Sequence, residues 1–253
     1  MKIRSCSYNI FFPAFKNLRE LFFEFEKELT DFMSPFELLP IPNDAPVEIP
    51  RIRAFSKSGH SSLLMTAQNA VITVNFDAEY WDNIDKCFNY IENKKNSLIA
   101  AYDSILLPKS RMNIFFSGLT SQIEFDESDI GTDPVSFINN NFVKIKSKQQ
   151  LEDIFIKFTH IFNESFYINM EIQNIRFFSG TQFGSLMSVA GMRQQSHTIY
   201  VNLDVNDRYS YNLHPGYVTD KDKIKRIFTL SKRVVSRKLR NIVMEGGDLD
   251  YDN

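Results

Sequence analysis

Four arginines, Arg226, Arg233, Arg237 and Arg240, stand at steps of 7, 4 and 3 near the end of a 253-residue chain. On an α-helix those steps place all four guanidinium groups on one stripe, about 21 Å long at a rise of ~1.5 Å per residue. Lys225 and Lys232 flank the stripe, and nine basic residues between Lys221 and Arg240 face a single acid, Asp222. A row of guanidinium groups suits carboxylates or phosphates, because each offers a planar fork of donors that stays charged at any working pH. Three uses fit: an acidic surface on a protein partner, a nucleic acid, or a solvated face whose positive charge the helix dipole favours. A tail of Glu245, Asp248, Asp250 and Asp252, released by Gly246 and Gly247, could also fold back onto it. Sequence-specific nucleic-acid recognition needs contacts to base edges, and nothing in this segment announces them. We take Lys225, Arg226, Lys232, Arg233, Arg237 and Arg240 as binding residues for another protein, with DNA or RNA as the alternative ligand.

Other residues with chemical potential are more dispersed. Glu171 and Gln173 on one predicted strand, with Arg193 and His197 near its expected neighbour, form the nearest approach to an enzyme site, a nuclease or hydrolase in which they would share one pocket. The acidic run Asp126, Glu127, Asp129 and Asp133 carries carboxylates suited to a hard cation, yet lacks the ligand order of a calcium loop. It reads as a solvated linker. His60, His160, His197 and His214 never fall at paired metal spacing. The segment from Gly180 to Gly191 holds three of nine glycines but lacks the lysine and spacing of a phosphate-binding loop, so it reads as a hairpin. No nucleophile elbow or kinase signature occurs, and no metal or cofactor is expected. The chemistry therefore favours a binding protein over an enzyme.

Composition sets the frame for these groups. Apolar residues make up 43% and charged residues 24%, with a formal charge of -2, so any electrostatic recognition must be local rather than global. Cys6 and Cys87 are too few for a disulfide framework, which suggests a reducing, cytoplasmic setting. No run approaches the roughly 18 apolar residues of a spanning helix.

Local patterning predicts the elements. Residues 3–12 read as a strand, and Leu18, Leu21, Phe22, Phe25, Leu29 and Phe32 follow helical spacing before Ser34-Pro35. Five prolines (Pro35, Pro40, Pro42, Pro46, Pro50) then define an extended wrapping segment. Strands are expected around 50–56, 62–67 and 70–77, followed by a helix bearing Trp81, Ile84, Phe88, Ile91, Leu98, Tyr102 and Ile105 and stopped by Pro108. A strand over 112–125, bent near Gly118, opens the second half. Short and longer helices follow, near 134–141 and along Leu151, Ile154, Phe155, Phe158, Ile161 and Phe162, then strands at 165–178, 185–194 and 197–206 and a closing helix over 220–244. Ile72-Thr-Val-Asn-Phe-Asp77 returns as Ile199-Tyr-Val-Asn-Leu-Asp204, displaced by half the chain. The expected fold is α+β: two tandem halves, 1–108 and 109–244, each an antiparallel sheet backed by helices and consistent with a duplication, with an acidic tail at 245–253.

The proline-bearing segment, Tyr80-Trp81 and Phe88 at the start of the middle helix, Arg111 at the head of the next strand, and Val201-Asn202-Leu203-Asp204 before a long final helix resemble a sporadically distributed family of uncharacterised bacterial proteins of similar length. The resemblance implies a cytoplasmic accessory protein acting in antiviral defence or a toxin-antitoxin pair, whose partner is another protein of the same system. It assigns no catalytic residue.

Overall fold

In the computed structural model, residues 1–29, 35–110, 113–149, 151–179 and 192–245 are described. The fold is α+β, built on one nine-stranded antiparallel sheet with several helices. Strand β1 (Lys2–Phe11) is followed by a 3-10 turn (Leu18–Leu21), helix α1 (Phe22–Glu28) and strands β2 (Phe36–Leu38), β3 (Ile52–Phe55), β4 (Ser61–Met65) and β5 (Asn69–Asn75). Helix α2 (Ile84–Ala101) continues through a π-type turn (Tyr102–Leu106) into α3 (Leu107–Ser110). The second half contains β6 (Phe116–Phe125), α4 (Glu127–Ile130), α5 (Pro134–Ile138), β7 (Phe155–Phe162), β8 (Phe166–Ser179) and β9 (Arg193–Asn206). Helix α6 (Arg208–Leu213) and α7 (Lys221–Arg233) follow, and a π-type turn (Val234–Lys238) leads from α7 into α8 (Leu239–Glu245).

The strand order is β2-β3-β4-β5-β1-β6-β9-β8-β7, so the two expected sheets are one. The join is the pairing of β1 with β6, which have long-range registers such as Cys6 opposite Ser121 and Tyr8 opposite Leu119. Each half places its first strand centrally, beside its own last strand: β1 lies against β5, and β6 against β9. The repeated hexamers do not occupy matching places. Asp77 lies beyond the end of β5, whereas Asp204 lies inside β9.

Period-2 alternation explains the layering. One row of opposed residues, Phe36, Ala54, Leu63, Ile72, Tyr8, Leu119, Val205 and Ile168, crosses eight strands and is buried throughout. Helix α2 packs over β1, and α7 over β6 and β9, on this side. Tyr8 meets Phe228 with ring centroids 5.3 Å apart, and Phe12 meets Tyr102 at 5.6 Å. Full burial of such side chains contributes about 1.5–3 kcal/mol each. The next row, Glu37, Arg53, Leu64, Val71, Asn9, Gly118, Asn206, Tyr167 and Ile161, faces the other way. Among the described helices only α6 leans on that face, at one rim, where Tyr211 meets Phe116 at 5.2 Å and Tyr209 meets Tyr167 at 5.3 Å.

Several local expectations change. The apolar set from Leu151 to Phe162 forms no helix; Phe155–Phe162 is strand β7, hydrogen-bonded to β8 along its whole length. Ile156, Phe158, His160 and Phe162 satisfy a two-residue period as well as the set satisfies a helical one, and pairing with β8 selects the strand. Gly118 marks no bend, since β6 keeps its register through it. Its role is close approach: a Cβ there would lie 2.9 Å from the Asn206 Cβ. The irregularity falls in β1 instead, between Ile3 and Ser5. Pro108 does not end the middle helix: the π-type turn over Tyr102–Leu106 precedes it, and the helix runs on through Leu107–Ser110. Most of the expected strand over 185–194 lies outside the described residues; Arg193 and Gln194 belong to the single long strand β9, which also takes in 197–206.

Candidate functional site

Helix α7 starts where Asp220 accepts a hydrogen bond from the Lys223 amide at 2.8 Å, an N-cap that satisfies one orphan donor. Its buried side is Ile224, Ile227, Phe228, Leu230 and Ser231, continued by Val234, Leu239 and Ile242. The apolar positions recur at helical spacing on the side away from the arginines. Lys221 and Lys232 tie the helix to the neighbouring α2 segment through Asp103 at 2.7 Å and Asp85 at 2.6 Å. Of the six predicted binding residues, Lys232 is thus already paired.

The other five remain open. Among the described residues no carboxylate lies within ion-pair distance of Lys225, Arg226, Arg233, Arg237 or Arg240. Lys225, Arg226, Arg237 and Arg240 are exposed, while Arg233 is half-buried. Arg226 lies over the Phe166 ring at 5.7 Å and Arg233 over Phe162 at 5.6 Å, so both lean on the β7–β8 turn. The π-type turn over Val234–Lys238 holds more than the usual ~3.6 residues per turn, so Arg237 and Arg240 are offset from the line of Arg226 and Arg233. The predicted stripe becomes a ridge in two segments. The tail from Gly246 onward, including Asp248, Asp250 and Asp252, lies outside the described residues.

Between this ridge and α2 runs a groove of about 420 Å³, with Phe88 and Phe228 at its floor and Lys225, Lys232, Arg233 and Arg237 along one wall. Glu92 stands on the α2 wall. Beside the floor, Lys95 is buried with its ammonium 4.7 Å from the Phe228 ring centroid and 3.5 Å from Glu92. Burial holds the Lys95 pKa below its usual value, against the pull of Glu92. The periodicity of the closing helix revealed the cations; the groove depended on its antiparallel docking to α2, which has no local signature.

The enzyme constellation is not assembled. Glu171 projects from the helix-free face, taking hydrogen bonds from Lys157 at 2.7 Å and Asn202 at 3.1 Å. Gln173 lies on the same face as Glu171, opposite Tyr200. His197 lies on the opposite side, buried, with Nδ1 3.1 Å from Asp133 and Nε2 3.3 Å from the Asn174 amide. Arg193 sits at the exposed start of β9. These side chains share no pocket.

The acidic run has structural work. Asp126 caps α4 and pairs with Lys2 at 2.9 Å, Asp129 holds the N-terminal ammonium at 2.8 Å, and Asp133 caps α5. No group of three or more His, Cys, Asp or Glu residues among those described could hold a metal ion. His60 pairs with Asp77 at 2.9 Å, and the His214 ring lies 3.3 Å from the Ser210 carbonyl. The segment from Gly180 to Gly191 and Arg111 lie outside the described residues. Cys6 and Cys87 are free and buried, and burial pushes both thiols up to about 12.

His197 provides a stability test. Burial holds its pKa below 6.5, with Asp133 opposing, so the unfolded chain binds the proton more tightly than the native protein. Stability from this residue is complete above about pH 6.5 and is lost as pH falls below it. Thermal melts between neutral and mildly acidic pH should therefore fall for the native chain, with a visibly flatter profile for His197→Gln. An unchanged slope would assign the loss to other groups.

The helix-free face, unread from sequence, carries a polar array. Asp204 accepts hydrogen bonds from Asn206 at 2.7 Å, Asn169 at 2.9 Å and Thr120 at 3.3 Å, while burial raises its pKa. Three cations on this face are paired, Arg4 with Glu124, Arg53 with Glu37 and Lys157 with Glu171, while Arg208 lies over the Phe116 ring. No described helix is long and apolar enough to cross a membrane. Comparison with protein-family models, with curated proteins and with solved structures finds no match to this chain.

Proposed function

We propose that the chain is a non-enzymatic binding or adaptor protein that seats an acidic, amphipathic segment of another protein in the groove between α2 and the C-terminal helices. The observation that carries this reading is the combination of an apolar floor with three wall cations, Lys225, Arg233 and Arg237, that lack acidic partners among the described residues. A partner helix with leucine-like anchors and carboxylates on one flank would fill such a groove. The family resemblance would set this in bacterial antiviral defence or toxin control, in the cytoplasm, with the 1–108 and 109–244 halves both contributing a wall. Exchange of Arg233 and Arg237 for glutamate is expected to reduce partner capture by at least ~100-fold, since each of the two lost charged contacts is worth roughly 1.5–3 kcal/mol. Folding should be retained, because Arg237 is exposed and Arg233 loses one ring contact of about 0.5–1 kcal/mol. Affinity capture from the native host, with and without nuclease, followed by binding assays on the purified partner, checks this; undiminished capture by the double variant overturns it.

Nucleic acid is the second reading, favoured by the five cations that have no acidic partner among the described residues. With about five phosphates neutralised, log affinity for a duplex should fall against log salt with a slope near -4.5. Glu92 and the Phe88–Phe228 floor weigh against it, because a phosphate backbone gains nothing from either. Nuclease-sensitive capture together with a steep salt slope would replace the protein-partner reading.

A further inference from the structure

The two outer strands of the sheet are built differently. Strand β2 has three residues, lies between Pro35 and Pro40, and pairs Glu37 with Arg53. Short, proline-flanked and charged edges resist pairing with other chains. Strand β7 has eight residues, no proline and an unbroken register with β8. On its outward row stand Phe155, Lys157, Thr159 and Ile161, with Phe155 58% and Ile161 47% exposed. Lys157 would ordinarily guard such an edge, yet its ammonium is engaged by Glu171 at 2.7 Å. Among the described residues no backbone hydrogen bond from a separate segment reaches these four positions.

We propose that β7 is a self-association edge, at which two copies of the chain pair antiparallel about a twofold axis through Phe158 and continue the sheet from one copy to the other. A twofold axis perpendicular to the sheet keeps both helix-free faces on the same side, so each residue must meet one of its own face. Centred on Phe158, the register sets Phe155 opposite Ile161 of the second copy, and Lys157 opposite Thr159. Both exposed apolar side chains then gain an apolar cross-strand neighbour, and each lysine keeps its own Glu171. Centring on Lys157 would oppose two lysines. Centring on Thr159 would put Ile161 against Lys157 and Phe155 against the turn residue Asn163. Phe158 is the centre that matches side chain to side chain.

Sedimentation velocity of the full chain across a concentration series should show a species of twice the 29.5 kDa chain mass. Phe155→Lys combined with Ile161→Lys should return the mass to that of one chain, with unchanged circular dichroism. The register has an independent check in the double variant Phe155→Cys with Ile161→Cys, which should form a covalent dimer on oxidation. Neither single variant should do so, because the two copies of position 155 would be about 20 Å apart along the strands. Cys6 and Cys87 are buried and do not compete. A chain that stays at 29.5 kDa at every concentration overturns the proposal. So does a dimer that the cysteine pair fails to cross-link, whether or not the lysine variant folds.

Discussion

Replacement of Asp207 by alanine is expected to destabilise the protein by about 3–5 kcal/mol, through loss of a buried acceptor that three donors share. Asp207 is fully buried. One carboxylate oxygen takes the Ser117 amide at 2.7 Å; the other takes the Tyr217 hydroxyl at 2.8 Å and the hydroxyl of Thr219. These bonds join the start of β6, the end of β9 and the segment entering α7, so the cationic ridge depends on them for its position. Alanine would strand the Ser117 amide and the Thr219 hydroxyl in a buried site and leave the half-buried Tyr217 hydroxyl without its acceptor. Asparagine should cost less, because its carbonyl still accepts and the two hydroxyls can turn. Burial raises the Asp207 pKa above 3.8 in spite of these donors. The native state therefore holds this proton more tightly than the unfolded chain, and the residue's contribution falls as pH rises from about 3.8 through the raised value. Urea unfolding of Asp207→Ala and Asp207→Asn measures the two costs; a loss below ~1 kcal/mol for alanine would show that water reaches the site.

Arg51→Ala is the second large effect, at about 3–4 kcal/mol. Arg51 is fully buried, and among the described residues no carboxylate pairs with it; its guanidinium donates to the carbonyls of Ile49, Ala45 and Pro46, the latter two at 2.9 and 3.1 Å. The Pro46 carbonyl also accepts the Ile49 amide at 3.1 Å, but no backbone amide among the described residues reaches the Ala45 and Ile49 carbonyls, in a stretch whose prolines lack amide donors. The planar fork spans these carbonyls together, which a lysine ammonium cannot do. Arg51→Lys should therefore recover only part of the loss, and Arg51→Met should refill the volume while leaving the Ala45 and Ile49 carbonyls without this donor. Unfolding midpoints rank the three variants, and limited proteolysis should show cleavage within 39–50 appearing first in the alanine variant. Equal stability of Met and native chains would mean that packing, and not hydrogen bonding, sets the cost.

Much of the architecture was legible because it is written in short periods. Cys6, Tyr8 and Ile10, Ile72 and Val74, and Ile199, Val201 and Leu203 alternate with polar neighbours, and each set lines the helix-covered side. Ile224, Ile227, Val234 and Leu239 likewise foretold which side of the closing helices would be buried and so which side would carry the cations. Such patterns are local, because a side chain's direction follows from the backbone of its own strand or helix. Long-range choices leave no such trace. The pairing of Cys6 with Ser121 that merges two sheets, the placement of Glu171 and His197 on opposite faces, and the docking of Lys232 on Asp85 join residues far apart in the chain. Residues 155–162 show the boundary between the two regimes: their apolar spacing admits helix or strand, and the open side of β8 settles it by supplying partners for the backbone groups along the inner edge of the strand.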